Sequence, residues 1–121
     1  MDTARAIKGR QAENLAYEFL TQQGLTLLAR NYRCRRGEID LIMREGKITV
    51  FVEVRSRGNS GFMDTVESID SGKRAHIVAT SQDYLQTQKR TDKDICRYDV
   101  ILLTGPAGAE RIEWLKNAFE A

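Results

Sequence analysis

The chain has few of the residue types from which many functional sites are built. It carries one histidine and two cysteines in 121 residues. His76 alone cannot supply a histidine-based metal site and is read as a helix surface residue. Cys34 and Cys96 lack C-x-x-C spacing, so reduced thiols are expected rather than a disulfide or a zinc site. No stretch approaches the roughly 18 apolar residues of a membrane-spanning helix. The opening MDTARAIKGR lacks the apolar run of a secretory signal, so a cytoplasmic location without a membrane partner is expected. Walker-type glycine spacing, internal repeats and low-complexity tracts are also missing, which argues against a nucleotide cradle and a repeat array. The net charge of +2 is too small to indicate a nucleic-acid partner by itself; only its distribution can do so.

What remains is ordinary globular material, 41% hydrophobic and 30% charged. The length suits one domain over residues 1–121 with a single core. The most informative stretch is Gly37 to Arg55. Ile39, Leu41 and Met43 alternate with Glu38, Asp40 and Ile42, and Val50, Val52 and Val54 alternate with Phe51, Glu53 and Arg55. Period-two runs of this kind are strands, and Glu45-Gly46 between them supplies a hairpin turn. A turn centred there sets Glu38 opposite Glu53 and Asp40 opposite Phe51. Asp40 and Glu53 then lie diagonally on one face, about 5.5–8 Å apart at the backbone. Such carboxylates repel unless something positive sits between them, and a divalent cation with hard oxygen ligands would remove the penalty. Solvent-facing acids offset by Arg55 and Arg57 would be the structural alternative.

The flanking segments complete a mixed α/β order. Ala4 to Gln23 reads as an amphipathic helix burying Ala12, Leu15, Ala16, Phe19 and Leu20, with Gly24 as its stop. A short strand over Leu25–Tyr32 leads into Arg30, Arg33, Arg35 and Arg36, four arginines in seven residues placed just before the acidic hairpin. A basic sheet edge also discourages aggregation, but arginine is well shaped for bidentate phosphate contact. Arg57 and Arg74 extend this nucleic-acid-binding set. Arg57 to Gly72 reads as a long loop with room for function.

Lys73 to Gln88 reads as the second helix, with Ile77, Val78, Ser81, Tyr84 and Leu85 inward and Ser71 as its cap. Lys73 and Arg74 oppose the helix dipole in its first turn, which predicts anionic company from Asp70, a phosphate or the acidic hairpin. Lys89 to Asp94 is a charged connection, Arg97–Leu103 a strand, Thr104-Gly105-Pro106 a turn, Arg111–Leu115 a last strand, and Lys116–Ala121 a helical tail. A helix between two strands favours a parallel pair. The order is α-β-β-β-α-β-β.

Asp40 followed after about a dozen residues by Glu53-x-Arg55 resembles the metal-binding core of the PD-(D/E)xK nuclease superfamily. GEIDLI, FVEVR and RYDV in that order look more closely like the YraN-like family of uncharacterised bacterial proteins, itself regarded as distantly similar to archaeal Holliday junction resolvases. The resemblance runs from about Gly9 to Phe119. It implies a restriction-endonuclease-like fold and a Mg²⁺ or Mn²⁺ cofactor on Asp40 and Glu53. The Val54 carbonyl, Glu38, and Glu13 four residues after Gly9 are implied as further ligands. DNA, including branched DNA, is the implied partner, and symmetric cutting would imply a homodimer.

The departure is Arg55, where the superfamily pattern has lysine. Arginine stabilises charge but cannot take up a proton, so Lys73 is the candidate to compensate. Two readings of function follow: a metal-dependent endonuclease, or a nucleic-acid-binding module that keeps the fold without useful activity. A purely structural hairpin is the third if the side chains fail to converge.

Overall fold

The computed structural model describes residues 4–57, 71–88, 95–106 and 108–120, with side chains from residue 9 and without that of Arg57. These residues form α1 (Ala4–Gln22), β1 (Thr26–Cys34), β2 (Gly37–Glu45), β3 (Ile48–Arg57), α2 (Ser71–Thr87), β4 (Cys96–Thr104) and β5 (Arg111–Phe119). The strands make one mixed sheet in the order β1-β2-β3-β4-β5. Only β3 and β4 run parallel, and they flank α2 in the sequence. Most of the segment expected to be a long loop (residues 58–70) and the expected connection over 89–94 lie outside the described residues.

Alternation along the strands separates two apolar layers. On one side Leu41, Met43, Val50, Val52, Ile101 and Leu103 pack against Ala12, Ala16 and Leu20 of α1. On the other side Ile42, Phe51, Tyr98, Val100 and Phe119 pack against Ile77 and Tyr84 of α2. A helix therefore covers each face, and strands buried on both sides explain why β4 reads as the continuous apolar run Val100–Leu103. Leu15 and Phe19 of α1, and Val78 and Leu85 of α2, are only partly buried at the margins of these layers.

Three expectations need correction. The hairpin turn is centred one residue later, on Gly46 and Lys47, because Glu45 still pairs with Ile48 and Gly46 takes the positive φ of 61°. The expected face of Ile39, Leu41 and Met43 does not hold, since Ile39 joins Ile42 on the α2 side. The β2–β3 ladder ends at Leu41–Val52, and Asp40 then takes the Val54 N–H with its carboxylate, so strict alternation is no longer enforced there. The expected helical tail is instead the second half of β5 up to Phe119. There the Phe119 ring stacks on Tyr98 with centroids 5.1 Å apart, and the Asn117 N–H donates to Asp99. Tertiary pairing outweighs the local helix preference of Lys116–Ala118.

Both outer strands contain an irregularity with an asparagine in the left-handed region. Asn31 in β1 has φ 51° and Asn117 in β5 has φ 52°. The β1–β2 register shifts between Leu27 and Ala29, and the β4–β5 register between Tyr98 and Val100. Asparagine is among the non-glycine residues that tolerate this conformation best.

Candidate functional site

The register shift in the hairpin keeps the parity of the pairing. The ladder's last pair is Leu41–Val52, and Asp40 and Glu53 are the next residues on the two strands. The Asp40 carboxylate accepts the Val54 N–H at 2.8 Å. Glu53 is buried and meets the Lys73 ammonium of α2 at 3.1 Å. The two acids therefore share one end of the sheet, beneath the start of α2. Together with Glu38, Lys73, His76 and Ile77 they line a cavity of about 280 Å³.

The electrostatics of the pair follow from burial. Asp40 is pushed up to about 7, first by loss of water and then by repulsion from Glu53, with smaller pushes from Glu13 and Glu38. The Val54 N–H works in the opposite direction but does not offset them. Glu53 is also raised by burial, against the attraction of Lys73 and Arg55. One ammonium is thus insufficient company for this group of acids. The influence of Glu13 on Asp40 brings α1 into the neighbourhood, and Glu13 Oε1 is buried without a hydrogen-bond partner.

The other candidates divide by location. Arg55 lies near enough to Glu53 to lower its pKa. Val54 meets Asp40 through its N–H. Arg33 reaches Glu38 at 3.3 Å, while Arg35 and Arg36 stand exposed in the β1–β2 turn. That turn is docked on α2, for the Arg36 carbonyl lies 2.8 Å from His76 Nδ1. Arg30 is directed elsewhere: it donates to Asn14 of α1 at 2.7 Å and lies over the Tyr17 ring. Arg74 lies over Phe119, and the side chain of Arg57 is outside the described set. The five arginines whose side chains are described therefore do not form one patch. Among the described residues, Arg33 and Arg36 are tied to residues that line the cavity, Arg33 through Glu38 and the Arg36 backbone through His76.

His76 is the residue that the sequence reading missed as a member of the site. It is exposed on α2 as expected, yet it lines the cavity. Its spacing from Lys73, three residues along a helix, puts both on one face and was the available signal. Gly37 also matters. Its φ is 153°, and a Cβ there would come within 3.0 Å of Thr80 Oγ1 and 3.4 Å of the His76 Cβ. Glycine lets β2 begin against α2, which holds Glu38 and Asp40 under the helix. Gly37→Ala is expected to lower stability by about 1–3 kcal/mol in urea unfolding; a loss below about 0.5 kcal/mol would show that this approach is not tight.

Several chemical limits are set by the geometry. Among the described residues no group of three or more histidine, cysteine, aspartate or glutamate side chains stands ready as a metal cage. What the site offers is one buried and one half-buried carboxylate, with a third and a fourth within electrostatic range. No described helix is long and apolar enough to cross a membrane.

Comparison with known proteins gives a consistent family. A protein of Nitrosococcus oceani is 46% identical over 112 residues, covering 93% of this chain and 90% of its own. One from Pseudomonas aeruginosa is 45% identical over 116 residues, with 94% and 93% covered. One from Nitrosospira multiformis is 47% identical over 114 residues, again with 94% and 93% covered. Each is named simply as a UPF0102 protein. Residues 12–103, which span α1 to β4 and include Glu13, Asp40, Glu53, Lys73 and His76, match the description that these relatives share. With the match extending over the second half of α1, α2, strands β1–β4 and the cavity residues, the chain belongs to the uncharacterised protein family UPF0102.

Proposed function

We propose that this protein is a divalent-metal-dependent endonuclease on a restriction-endonuclease-like fold, hydrolysing phosphodiesters of DNA, branched DNA included. The observation that carries the reading is the placement of Asp40 and Glu53. Two carboxylates from neighbouring strands, Glu53 buried and Asp40 half-buried, line the same accessible cavity, and both are raised in pKa. Burying two acids in one place is costly, and a hard cation would relieve it. Mg²⁺ or Mn²⁺ suits the donor set, because such ions take oxygen ligands and keep several waters, so two carboxylates are enough. Asp40 and Glu53 would hold the ion, with Val54, Glu38 and Glu13 as neighbouring oxygen donors.

When bound, such an ion supplies charge stabilisation for the phosphoryl oxygens and acidifies water. The chain's own side chains do the remainder. Arg55, beside Glu53, adds fixed positive charge where a trigonal-bipyramidal phosphorus would gain negative charge. Lys73 is the counter-ion of Glu53 and would be the ammonium available to a phosphate oxygen there. Arg33, paired with the cavity residue Glu38, and the exposed Arg35 and Arg36 of the β1–β2 turn would supply guanidinium groups suited to backbone phosphates.

A second reading has its own support. Arg55 cannot accept a proton, and no ready three-ligand cage exists among the described residues. A DNA-binding module without useful cleavage would keep both features. The experiment that separates them incubates the purified chain with linear and four-way-junction DNA, in Mg²⁺, Mn²⁺ or chelator, beside Glu53→Gln. Metal-dependent cleavage that Glu53→Gln lowers by at least about 10³-fold supports the nuclease. Salt-sensitive binding without cleavage in any metal supports the module. Neither binding nor cleavage rejects both.

A further inference from the structure

We infer that His76 is the proton acceptor of this site, taking a proton from the attacking water through Nε2. The inference rests on the nuclease reading. His76 is the only histidine in the chain, and its side chain is held at two points, Cβ and the ring nitrogen Nδ1. Its Cβ sits against Gly37, where an added Cβ would approach to 3.4 Å. Its Nδ1 lies 2.8 Å from the Arg36 carbonyl oxygen. A carbonyl only accepts, so Nδ1 must carry the hydrogen and donate it. In a neutral ring that places the free electron pair on Nε2, the polar ring atom left for the cavity that His76 lines.

The neighbouring groups leave this role to the imidazole. The basic side chains close to the acids are Lys73, Arg55 and Arg33. The Lys73 ammonium is ion-paired with Glu53 at 3.1 Å, Arg33 with Glu38 at 3.3 Å, and guanidinium groups do not give up their protons. Glu38 and Asp40 of β2 and Glu53 of β3 line the same cavity as the ring. The step balances simply. Nε2 takes one proton from water, the water oxygen bonds to phosphorus, and the P–O3′ bond breaks. The leaving oxygen picks up a proton from solvent, and the imidazolium returns its own to solvent. One water is consumed for one 5′-phosphate and one 3′-hydroxyl.

Two variants and one spectrum test the assignment. In His76→Asn the side-chain amide can still donate to the Arg36 carbonyl, so the turn stays docked while Nε2 is lost. In His76→Gln a hydrogen-bonding group is placed near the position of Nε2, but it is not a base. Both are expected to cut cleavage by about 10²-fold or more, with DNA binding and the Mn²⁺-induced rise in melting temperature within error of wild type. With a single histidine, ¹⁵N NMR of the imidazole reads the tautomer without ambiguity, and hydrogen on Nδ1 is expected in the wild type. Wild-type cleavage in His76→Asn, restored cleavage in His76→Gln, or a neutral ring with its hydrogen on Nε2 would each overturn the assignment while leaving the nuclease reading intact. A wild-type chain that cuts no DNA in any metal overturns that reading and this one with it.

Discussion

Asp40→Asn is expected to make the metal-free protein more stable and, at the same time, to abolish cleavage. The wild-type carboxyl is raised to about 7 by burial and by Glu53. Between about pH 4 and pH 7 the folded chain therefore holds a proton that the unfolded chain has lost, and stability falls as pH rises through that window. Above pH 7 the full cost of the buried charge is present. Asparagine keeps an oxygen to accept the Val54 N–H but carries no charge. In chelator at pH 8 the variant should gain roughly 1–3 kcal/mol over wild type, and the difference should vanish near pH 4.

Divalent metal reverses the ranking. Mg²⁺ or Mn²⁺ should stabilise the wild type and leave Asp40→Asn almost unmoved, because only a ligand that binds the folded state shifts the melting temperature. Cleavage of DNA should drop by at least about 10³-fold. Thermal melts with and without metal at pH 5 and pH 8, set beside a cleavage assay, provide the measurement. A variant that is less stable than wild type in chelator at pH 8 would mean that Asp40 is a structural acceptor for Val54 and nothing more.

Asp99→Ala should have the largest effect on stability of any single change in the sheet. Asp99 is fully buried, and its carboxylate accepts four hydrogen bonds. Two come from Arg97 at 2.8 and 2.9 Å, one from Trp114 Nε1 at 2.9 Å and one from the Asn117 N–H at 2.9 Å. Arg97, whose side chain is 14% exposed, has Glu45 at 2.8 Å as its other acidic partner. Alanine would strand most of a buried guanidinium and two N–H donors in a dry sheet. Breaking such a pair from one side costs about 3–5 kcal/mol, which for a domain of this size lowers the melting point by more than about 10 °C.

The comparison with Arg97→Met/Asp99→Leu tells which part of the cost is isolation of the partner charge. The double change should recover part of the loss, because neither ion is then left alone. A loss below about 1 kcal/mol in Asp99→Ala, measured by urea unfolding, would show that water satisfies the freed donors. The RYDV run thus has a role separate from the cavity. It ties β4 to β5 through Asp99, on the face of the sheet that α1 covers.

How much of this could be read in advance depended on how local the determining forces were. The hairpin was legible, since alternation over Gly37–Arg55 fixes strand identity, and parity kept Asp40 and Glu53 on one side even though the turn was placed one residue early. The parallel β3–β4 pair followed from an intervening helix. The fate of Lys116–Phe119 did not, because Asp99 and Tyr98, some twenty residues earlier in the chain, decide it. The arginine run likewise gave composition without direction. Arg30 turns to α1 and Arg33 to Glu38, and only strand register and bulges settle which way each points. His76 was legible as a helix residue but not as part of the site, since the docking of Gly37 on α2 is a contact across forty residues.

The left-handed asparagines in the outer strands have a consequence for assembly. An unbroken row of free N–H and C=O groups is what allows one sheet to be prolonged by another. Asn31 and Asn117 interrupt that row on both sides, and Arg30 and Arg33 add like charge along the first of them. Joining of two copies into a ten-stranded sheet is therefore disfavoured across these margins. Cutting both strands of a DNA duplex in concert would bring the copies together through other surfaces, with each five-stranded sheet remaining a closed unit.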